Sequence, residues 1–479
     1  MIPSGDYIRI LPEIVLSIFG MLVMVIDPLL GENDDRKSIG VVSAIGALLA
    51  LGATFIMAGH PGEAFYNILR VDDFAVFFHV VVILIALACI LMSFEYLKVQ
   101  EIRQGEYYGL ILFGTVGMCL MSSAIELVML FVAIEISSIS TYILAGFRRR
   151  AAESAESSLK YFLLGSFATA FFLYGIALMY GATGSTNVDV IAAALRQGTP
   201  VMAYLAIALM LVGLGFKVAA APFQVWTPDV YEGAPAPVVA LISTGPKAAA
   251  FAVLLRVLFG TGAPGWFWAI WIAAALSMTI GNFGALVQTN VKRMLAYSSI
   301  AHAGYLLVAF IAIRSMEQGV SAAMFYTAAY AAMNVGAFAV VSHFANAGEK
   351  YVSIEDYAGL GRRSPVLAAA LTVFLLSLIG IPITGGFFAK FYVFRAAISS
   401  SLIWLTVIGL VNSAIGSYYY LRLLVMMYMR EPHSDEPVPA VPFAAGFAMA
   451  GCVVATLYLG VFPNRVLQFA IESARTLVH

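Results

Sequence analysis

Long apolar stretches separated by short charged loops dominate the chain from end to end. A helix that crosses the apolar core of a membrane, about 30 Å thick, needs about 20 mostly apolar residues. By that rule we predict about fourteen transmembrane helices. They cover residues 8–30, 38–58, 73–97, 107–124, 126–147, 158–182, 201–231, 236–261, 266–290, 293–313, 320–345, 365–398, 402–429 and 440–462. No linker or soluble domain interrupts them.

Two of these spans are too long for one straight crossing. At 1.5 Å per residue, residues 201–231 would make a helix of roughly 46 Å and residues 365–398 one of roughly 51 Å. Each contains helix-breaking residues, Pro222 in the first and the stretch 381–386 (Ile-Pro-Ile-Thr-Gly-Gly) in the second. We therefore predict two broken helices.

Broken helices in both halves of a chain suggest internal repeats with sites at the repeat interfaces. We assign the fourth to eighth helices, residues 107–261, to a first repeat and the ninth to thirteenth, residues 262–430, to a second. Because each repeat has five helices, the two are inverted. Residues 1–106 form an N-terminal three-helix segment, and residues 431–479 hold the last helix and a tail. The predicted fold class is an all-α polytopic membrane protein.

Composition narrows the function. The chain is 62% hydrophobic and 11% charged with a net charge of −1, which excludes a soluble domain and a basic nucleic-acid surface. The three cysteines, Cys89, Cys119 and Cys452, are too far apart for an iron–sulfur or disulfide pattern. Neither His79 nor His343 has a second ligand at metal spacing. No glycine-rich nucleotide motif is visible. We expect no metal and no cofactor bound by this chain.

The distribution of Lys and Arg predicts the orientation. Fourteen of them lie at the odd-numbered loops and eight at the even-numbered loops and termini. Since positive residues concentrate on the cytoplasmic side, both termini are predicted outside. The start of the chain lacks a basic region and a cleavage site, so residues 8–30 are read as a retained span.

Ionisable residues inside these spans are the best candidates for chemistry, because a charge at membrane depth costs several kcal/mol and is usually functional. Glu135, in the span 126–147, lies about 13 Å from the nearer helix end. Two lysines lie beside the two predicted breaks, a third follows a Gly-Pro pair, and one histidine can exchange protons near neutral pH. The five candidates for a proton pathway are Glu135, Lys217, Lys247, Lys390 and His302.

Other roles are open for some of these residues. Glu135 and Lys217 could form a structural ion pair, or a switch in which Lys217 gives up its proton when the pair opens. A hydrogen-bonded core histidine is as good a reading of His302 as a proton carrier. Lys390 could instead end a half-helix near the membrane surface.

The remaining charges are read as structural. Lys292 and Arg293 are interpreted as anchors at a cytoplasmic helix end. Asp229 and Glu232 are expected to orient the segment after the first break. Stripes of Phe, Tyr and Met elsewhere are interpreted as lipid-facing or packing surface.

Four motifs, in order, resemble a known family. They read KVAAAPFQVWTPDVYEGAPAPV from residue 217, STGPKAAAF from 243, RMLAYSSIAHAGY from 293 and GIPITGGFFAKFYVF from 380. They are similar to the antiporter-like subunits of respiratory complex I, and closest to its N subunits, counterparts of mitochondrial NADH dehydrogenase subunit 2. The likeness to the N subunits rests on length, on GPKAAAF and on the short tail after Pro463.

The resemblance implies fourteen helices, inverted repeats of helices 4–8 and 9–13, breaks in helices 7 and 12, and a central polar axis. It assigns Glu135, Lys217, Lys247 and Lys390 to that axis as the ionisable residues of helices 5, 7, 8 and 12. One position departs from the pattern. Many relatives have histidine where this chain has Gln224, so a proton role at that position is in doubt.

The predicted function is that of a proton-translocating membrane-arm subunit of a respiratory NADH:quinone oxidoreductase in the bacterial inner membrane. NAD, FMN, iron–sulfur clusters and quinone are then expected in partner subunits, and the partners are other membrane-arm subunits and the lipid bilayer. The main alternative is an Mrp-type cation/proton antiporter subunit. A membrane-bound hydrogenase subunit and a scaffold are further readings.

Overall fold

The computed structural model describes residues 3–31, 36–261, 266–312, 316–432 and 438–478. The first helices are α1 (Ser4–Arg9), α2 (Leu11–Ile26), α3 (Lys37–Ala58) and α4 (Asp73–Val99). They are followed by α5 (Glu106–Ser123), α6 (Leu127–Ala145), α7 (Ala152–Thr183), α8 (Val188–Gln197), α9 (Val201–Val218), α10 (Thr227–Gly233) and α11 (Ala236–Thr261). The next are α12 (Trp266–Leu286), α13 (Val291–Ile311), α14 (Met316–Phe344), α15 (Leu360–Arg363), α16 (Pro365–Ile379), α17 (Gly385–Ser399) and α18 (Ile403–Met429). The last are α19 (Phe443–Val461) and α20 (Pro463–Val478).

Every predicted span overlaps an observed helix, and each of the two long spans overlaps two helices. Within the described ranges, eleven helices are long and apolar enough to cross a membrane. The predictions of a helical multi-pass membrane protein and of two broken helices are therefore confirmed. The count of fourteen crossings stays a prediction.

Several small elements were not predicted. Strands β1 (Gly62–Ala64) and β2 (Leu69–Val71) form an antiparallel hairpin between α3 and α4. Helices α8 and α20 are amphipathic and shorter than a membrane crossing. A search for long apolar runs misses such elements, because their residues alternate between polar and apolar faces.

Three helices form the centre of the molecule. Nearly every described residue of α11, α13 and α14 is buried, whereas only about a third of the residues in the apolar segments of α2, α7 and α19 are. An exposed apolar helix face is the expected surface of a protein in lipid. The central helices can therefore bury polar side chains away from lipid.

Both broken helices end their first half in the same way. After α9, the N–H groups of Ala219 and Ala220 bond back to the last turn, and Ala219 has a left-handed backbone (φ 59°). After α16, Gly380 (φ 94°) and Ile381 make the equivalent pair of bonds. This double bond pattern is the Schellman motif that ends a helix without a continuing turn.

A second structural feature occurs in matching form in each half of the chain. Residues 125–127 at the start of α6 pair with 186–188 through two backbone hydrogen bonds, each 2.9 Å. Residues 289–291 at the start of α13 pair with 352–354 in the same antiparallel pattern, through two bonds of 2.8 Å. One bridge thus ties the start of α6, and the other the start of α13, to a segment that leads into a broken helix.

Gly386 allows the two halves of the second broken helix to touch. A Cβ atom there would lie 1.8 Å from the backbone carbonyl oxygen of Ser377. Gly386→Ala should therefore destabilise the protein by about 1–3 kcal/mol or more, since backbone atoms cannot move aside as a side-chain end can. The measurement is the thermal midpoint and the yield of assembled protein in detergent. Gly451→Ala is the matched control, because a Cβ atom there meets nothing within 4 Å. Equal midpoints for the two variants would contradict the prediction.

Candidate functional site

The structure places four of the five predicted residues in the interior and the fifth at its edge. Lys217, Lys247, His302 and Lys390 are all buried, on α9, α11, α13 and α17. Glu135 on α6 is half-buried. The four buried residues therefore come from four different helices.

Lys217 lies in the last turn of α9, directly before the first break. Its Nζ donates to Ser138 Oγ on α6 at 2.8 Å and lies 6.0 Å from the ring centre of Tyr142. Within the described part of the chain, no ion pair joins Lys217 to Glu135, although the charge of Glu135 is near enough to act on it. The structure thus shows the predicted pair in a separated arrangement.

Lys247 lies near the middle of α11 and is held by a single residue of α13. Its Nζ donates to Ser299 Oγ and to the Ser299 carbonyl oxygen, the latter at 3.2 Å. Ser299 Oγ also accepts a 2.8 Å hydrogen bond from the hydroxyl of Tyr330 on α14. The Tyr231 hydroxyl lies 3.4 Å from the same oxygen. Ser299 is therefore a junction that connects Lys247 to two tyrosines.

His302 lies one turn beyond Ser299, and both of its ring nitrogens have hydroxyl partners. Nδ1 lies 2.7 Å from the hydroxyl of Tyr326, and Nε2 lies 3.4 Å from that of Tyr420. Tyr420 also bonds to Ser298. Since a hydroxyl can donate or accept, either tautomer of His302 is satisfied.

Lys390 is bound by the open end of a helix. Its Nζ donates to the carbonyl oxygens of Leu378 and Ile379 at 3.0 and 2.8 Å, and to Ser413 Oγ at 2.9 Å. The two carbonyls are those that the second break leaves unpaired at the end of α16, where the helix dipole also favours a cation. Lys390 lies 5.0 Å from the ring centre of Tyr305, which contacts the ring of His302.

Aromatic rings bridge the interval between Lys217 and Lys247. Tyr142 lies beneath Lys217 and contacts Tyr161 at 4.7 Å between centres, and Tyr161 stacks on Trp226 at 4.5 Å. Trp226 contacts Tyr231, whose ring centre lies 6.0 Å from Lys247 Nζ. The three lysines and His302 therefore belong to one continuous interior network.

Comparison with known proteins identifies the family. A family model described as "NADH:quinone oxidoreductase/Mrp antiporter, TM" matches residues 124–416. NADH-quinone oxidoreductase subunit N 2 of Koribacter versatilis is 65% identical over 486 residues, covering 100% of this chain and 98% of that protein. The chain belongs to the NADH-quinone oxidoreductase subunit N family.

Solved structures agree with this assignment. A chain of respiratory complex I from Thermus thermophilus with bound aureothin is 37% identical, with a TM-score of 0.82 over 95% of this chain and 98% of that one. A chain of the Mrp complex from Dietzia is 21% identical with a TM-score of 0.86 over 99% and 97% of the two chains, which shows a shared fold alone. The predicted family, the antiporter-like fold and the role of a proton-translocating subunit of NADH:quinone oxidoreductase are confirmed.

The sequence-based reading of the tyrosines was wrong in the interior. Tyr326, Tyr330 and Tyr420 were counted as packing surface, yet their hydroxyls bond to His302, Ser299 and Ser298. The only sequence feature that pointed to this interior hydrogen-bonding network was on α13, where residues 298, 302 and 305 recur at helical spacing and mark one polar face.

The reading of Lys292 as a membrane-surface anchor was also wrong. Lys292 is fully buried, and all three of its N–H groups have acceptors: the carbonyl oxygens of Glu232 and Ala234 and Oε2 of Glu349, at 2.6–2.8 Å. Arg293, in contrast, is partly exposed and pairs with Asp229 and Glu232. Asp229 and Glu232, through these ion pairs, orient α10 relative to α13, the role expected of them.

Glu349 is a functional candidate that sequence reasoning missed. Burial favours the neutral form of this carboxyl, but the charges of Lys292 and Arg148 outweigh it and hold the pKa of Glu349 below its usual value. It is therefore ionised at neutral pH. Nothing in its loop distinguishes it by sequence, because its partners come from distant segments.

His79 and His343, the two histidines considered as metal ligands, have hydrogen-bonding partners. His79 Nε2 lies 2.9 Å from Glu13 Oε1, and His343 Nε2 lies 3.0 Å from the Pro439 carbonyl oxygen. Among the residues that the structure describes, no group of three or more His, Cys, Asp or Glu could hold a metal ion.

Ser299→Ala tests the junction between Lys247 and the tyrosines. Because it removes a hydrogen bond to a charged group, worth about 1.5–3 kcal/mol, coupled turnover per assembled enzyme should fall about tenfold. The measurement is NADH:quinone activity in proton-tight vesicles, normalised to assembled enzyme. Ser43→Ala is the control, since the buried Ser43 hydroxyl bonds to its own helix at Ile39. Unchanged turnover in Ser299→Ala would remove Ser299 from the axis.

Proposed function

We propose that protons cross this chain along the interior network through Glu135, Lys217, Lys247, His302 and Lys390. The observation that carries the proposal is the unbroken run of contacts that joins three buried lysines. Each lysine is held by neutral oxygens and lies against a tyrosine ring. An ammonium at membrane depth without a paired carboxylate is costly and is retained where it works.

The lysines differ in how firmly they are held, which suggests separate roles. Lys390 has three acceptors for its three N–H groups, whereas Lys217 has one recorded acceptor among the described residues. Lys217 is therefore the most easily moved, and Glu135 is a carboxylate whose charge acts on it. Approach and separation of this pair would raise and lower the readiness of Lys217 to hold a proton.

The free energy required to move one proton against the membrane potential is modest. Moving one charge against 100 mV takes about 2.3 kcal/mol. Breaking a poorly solvated ion pair involves several kcal/mol. A Glu135–Lys217 pair is thus able to store what one transfer step needs, once redox chemistry in other subunits drives the change.

We further propose that residues 107–261 and 262–430 are inverted repeats. The matching Schellman ends of α9 and α16 support this, as do the matching bridges at the starts of α6 and α13. Residues 1–106 would then be an added three-helix segment, and residues 431–479 a closing helix and tail.

A neighbouring membrane subunit is proposed to cover α6. Val128, Val132, Ile139 and Ile143 form an exposed stripe along this helix, and Glu135 lies on the same stripe. Glu135 is half-buried, and its buried Oε1 has no hydrogen-bond partner in the described chain. Because lipid cannot solvate a carboxylate, a protein partner is the better neighbour for this face. NAD, FMN, iron–sulfur clusters and quinone would bind in partner subunits.

The proposed location is the bacterial inner membrane, with both termini on the periplasmic side. The excess of Lys and Arg at the odd-numbered loops supports this orientation.

Lys217→Ala and Glu135→Gln test the pathway. Both should leave assembly intact and lower coupled quinone reduction by about tenfold or more, because each removes one member of the proposed pair. The measurement is the number of protons moved per NADH oxidised and the turnover of assembled enzyme in vesicles. Lys98→Ala and Glu101→Gln, at exposed positions, are the matched controls. Normal coupled turnover in both test variants would refute the pathway.

Isolation of the chain from native membranes tests the partners. A mild-detergent pull-down should recover NADH:quinone activity and iron–sulfur signals, since a membrane-arm subunit depends on redox partners. A membrane carrying an untagged copy serves as the control for nonspecific recovery. Recovery of the chain alone, or with only small membrane subunits, would favour the cation/proton antiporter instead.

A further inference from the structure

A buried ionic cluster lies outside the proton axis, where α10 turns into α11. The connection is short and rigid, running from Gly233 to the start of α11 through Pro235. A Cβ atom at Gly233 would lie 2.2 Å from the backbone carbonyl oxygen of Glu153 on α7, so α10 and α7 are in close backbone contact here. Two oppositely charged side chains bind this connection from either side.

Lys292 binds the end of α10. Its Nζ donates to the carbonyl oxygens of Glu232 and Ala234, which the ending helix leaves without intrahelical partners. A cation at this position also matches the negative end of the α10 dipole.

Glu349 binds the beginning of α11. Its Oε1 accepts a 2.8 Å hydrogen bond from the backbone N–H of Ala236, the first residue of that helix. Because the flanking residues Pro235 and Pro237 have no N–H, this is the single backbone donor at that point. An anion at a helix start matches the positive end of the dipole.

The two charges are paired with each other at 2.6 Å, and further groups hold the carboxylate in place. Tyr96 of α4 donates to Oε1 at 2.7 Å, and Arg148, beyond the end of α6, lies 3.5 Å from Oε2. Glu349 itself has a positive φ (53°), as does Asn346 (58°) three residues before it. Such conformations are retained where the surroundings demand them.

We propose that Glu349 and Lys292 act as positioning residues that clamp α11 to α13 and so hold Lys247 against Ser299. Lys292 and Ser299 lie on the same face of α13, two turns apart, while Ala236 and Lys247 lie three turns apart on α11. A shift of either helix at the clamp therefore moves Lys247 along Ser299. The proposal rests on the proton pathway proposed above.

Glu349→Gln tests the clamp in the complete enzyme. The amide can still accept from Tyr96 and Ala236 but leaves Lys292 without its counter-charge. We expect assembled enzyme whose kcat and protons moved per NADH fall at least about threefold, since displacement of reacting groups by about 1 Å can cost about 10²-fold. The KM for quinone should not change. Glu355→Gln, an exposed carboxylate of the same loop, is the control.

A purely structural role predicts a different result. It would lower the amount of assembled enzyme but leave kcat and the proton ratio of the surviving enzyme equal to those of Glu355→Gln. That outcome overturns the proposal.

Tyr96→Phe provides a second variant if Glu349→Gln fails to assemble. It removes one hydroxyl donor and keeps both charges. We therefore expect a smaller fall in kcat than in Glu349→Gln, without a change in the KM for quinone. A kcat equal to that of Glu355→Gln would overturn the clamp.

Lys247→Ala separates the two proposals: if it stops proton movement while the clamp variants do not, the pathway stands and the clamp fails. If Lys247→Ala also has no effect, the pathway itself fails.

Discussion

The free-energy cost of placing an ammonium group inside a membrane determines which contacts the interior of this protein must supply. Each buried lysine needs oxygen acceptors at a depth where water is scarce and the backbone carbonyls of a continuous helix are already bonded. Helix breaks and helix ends solve this problem, because they expose carbonyl groups without intrahelical partners. Lys390 uses the carbonyls at the end of α16, and Lys292 uses those at the end of α10. Open helix ends are therefore what makes these two buried cations tolerable.

The breaks were also what the sequence could predict. Pro222 and residues 381–386 interrupt apolar runs too long for one crossing, and their effect on the backbone is local. The membrane spans follow from local composition in the same way. Hence the helical architecture and the positions of Lys217 and Lys390 beside the breaks emerged from the sequence.

Contacts between distant segments could not be predicted in this way. Tyr330 and Tyr420 lie in apolar helices, and nothing near them in sequence separates a hydroxyl facing Ser299 or Ser298 from one facing lipid. The same holds for Glu349, whose partners Tyr96 and Ala236 are more than a hundred residues away. Lys292 was misread because the count of positive charges at helix ends cannot tell a buried cation from an exposed one.

The acceptor sets divide the cations into two kinds. Lys292 and Lys390 have an acceptor for every N–H group, which holds the ammonium group firmly in place. Lys217 and Lys247 depend instead on the hydroxyls of Ser138 and Ser299, which can turn from acceptor to donor when a lysine loses its proton. A mobile proton needs such adaptable partners, whereas a helix clamp needs fixed ones. By this reasoning Lys217 and Lys247 are the members of the proposed pathway best suited to release and take up a proton. Lys390, which also donates to the Ser413 hydroxyl, is the member held most firmly.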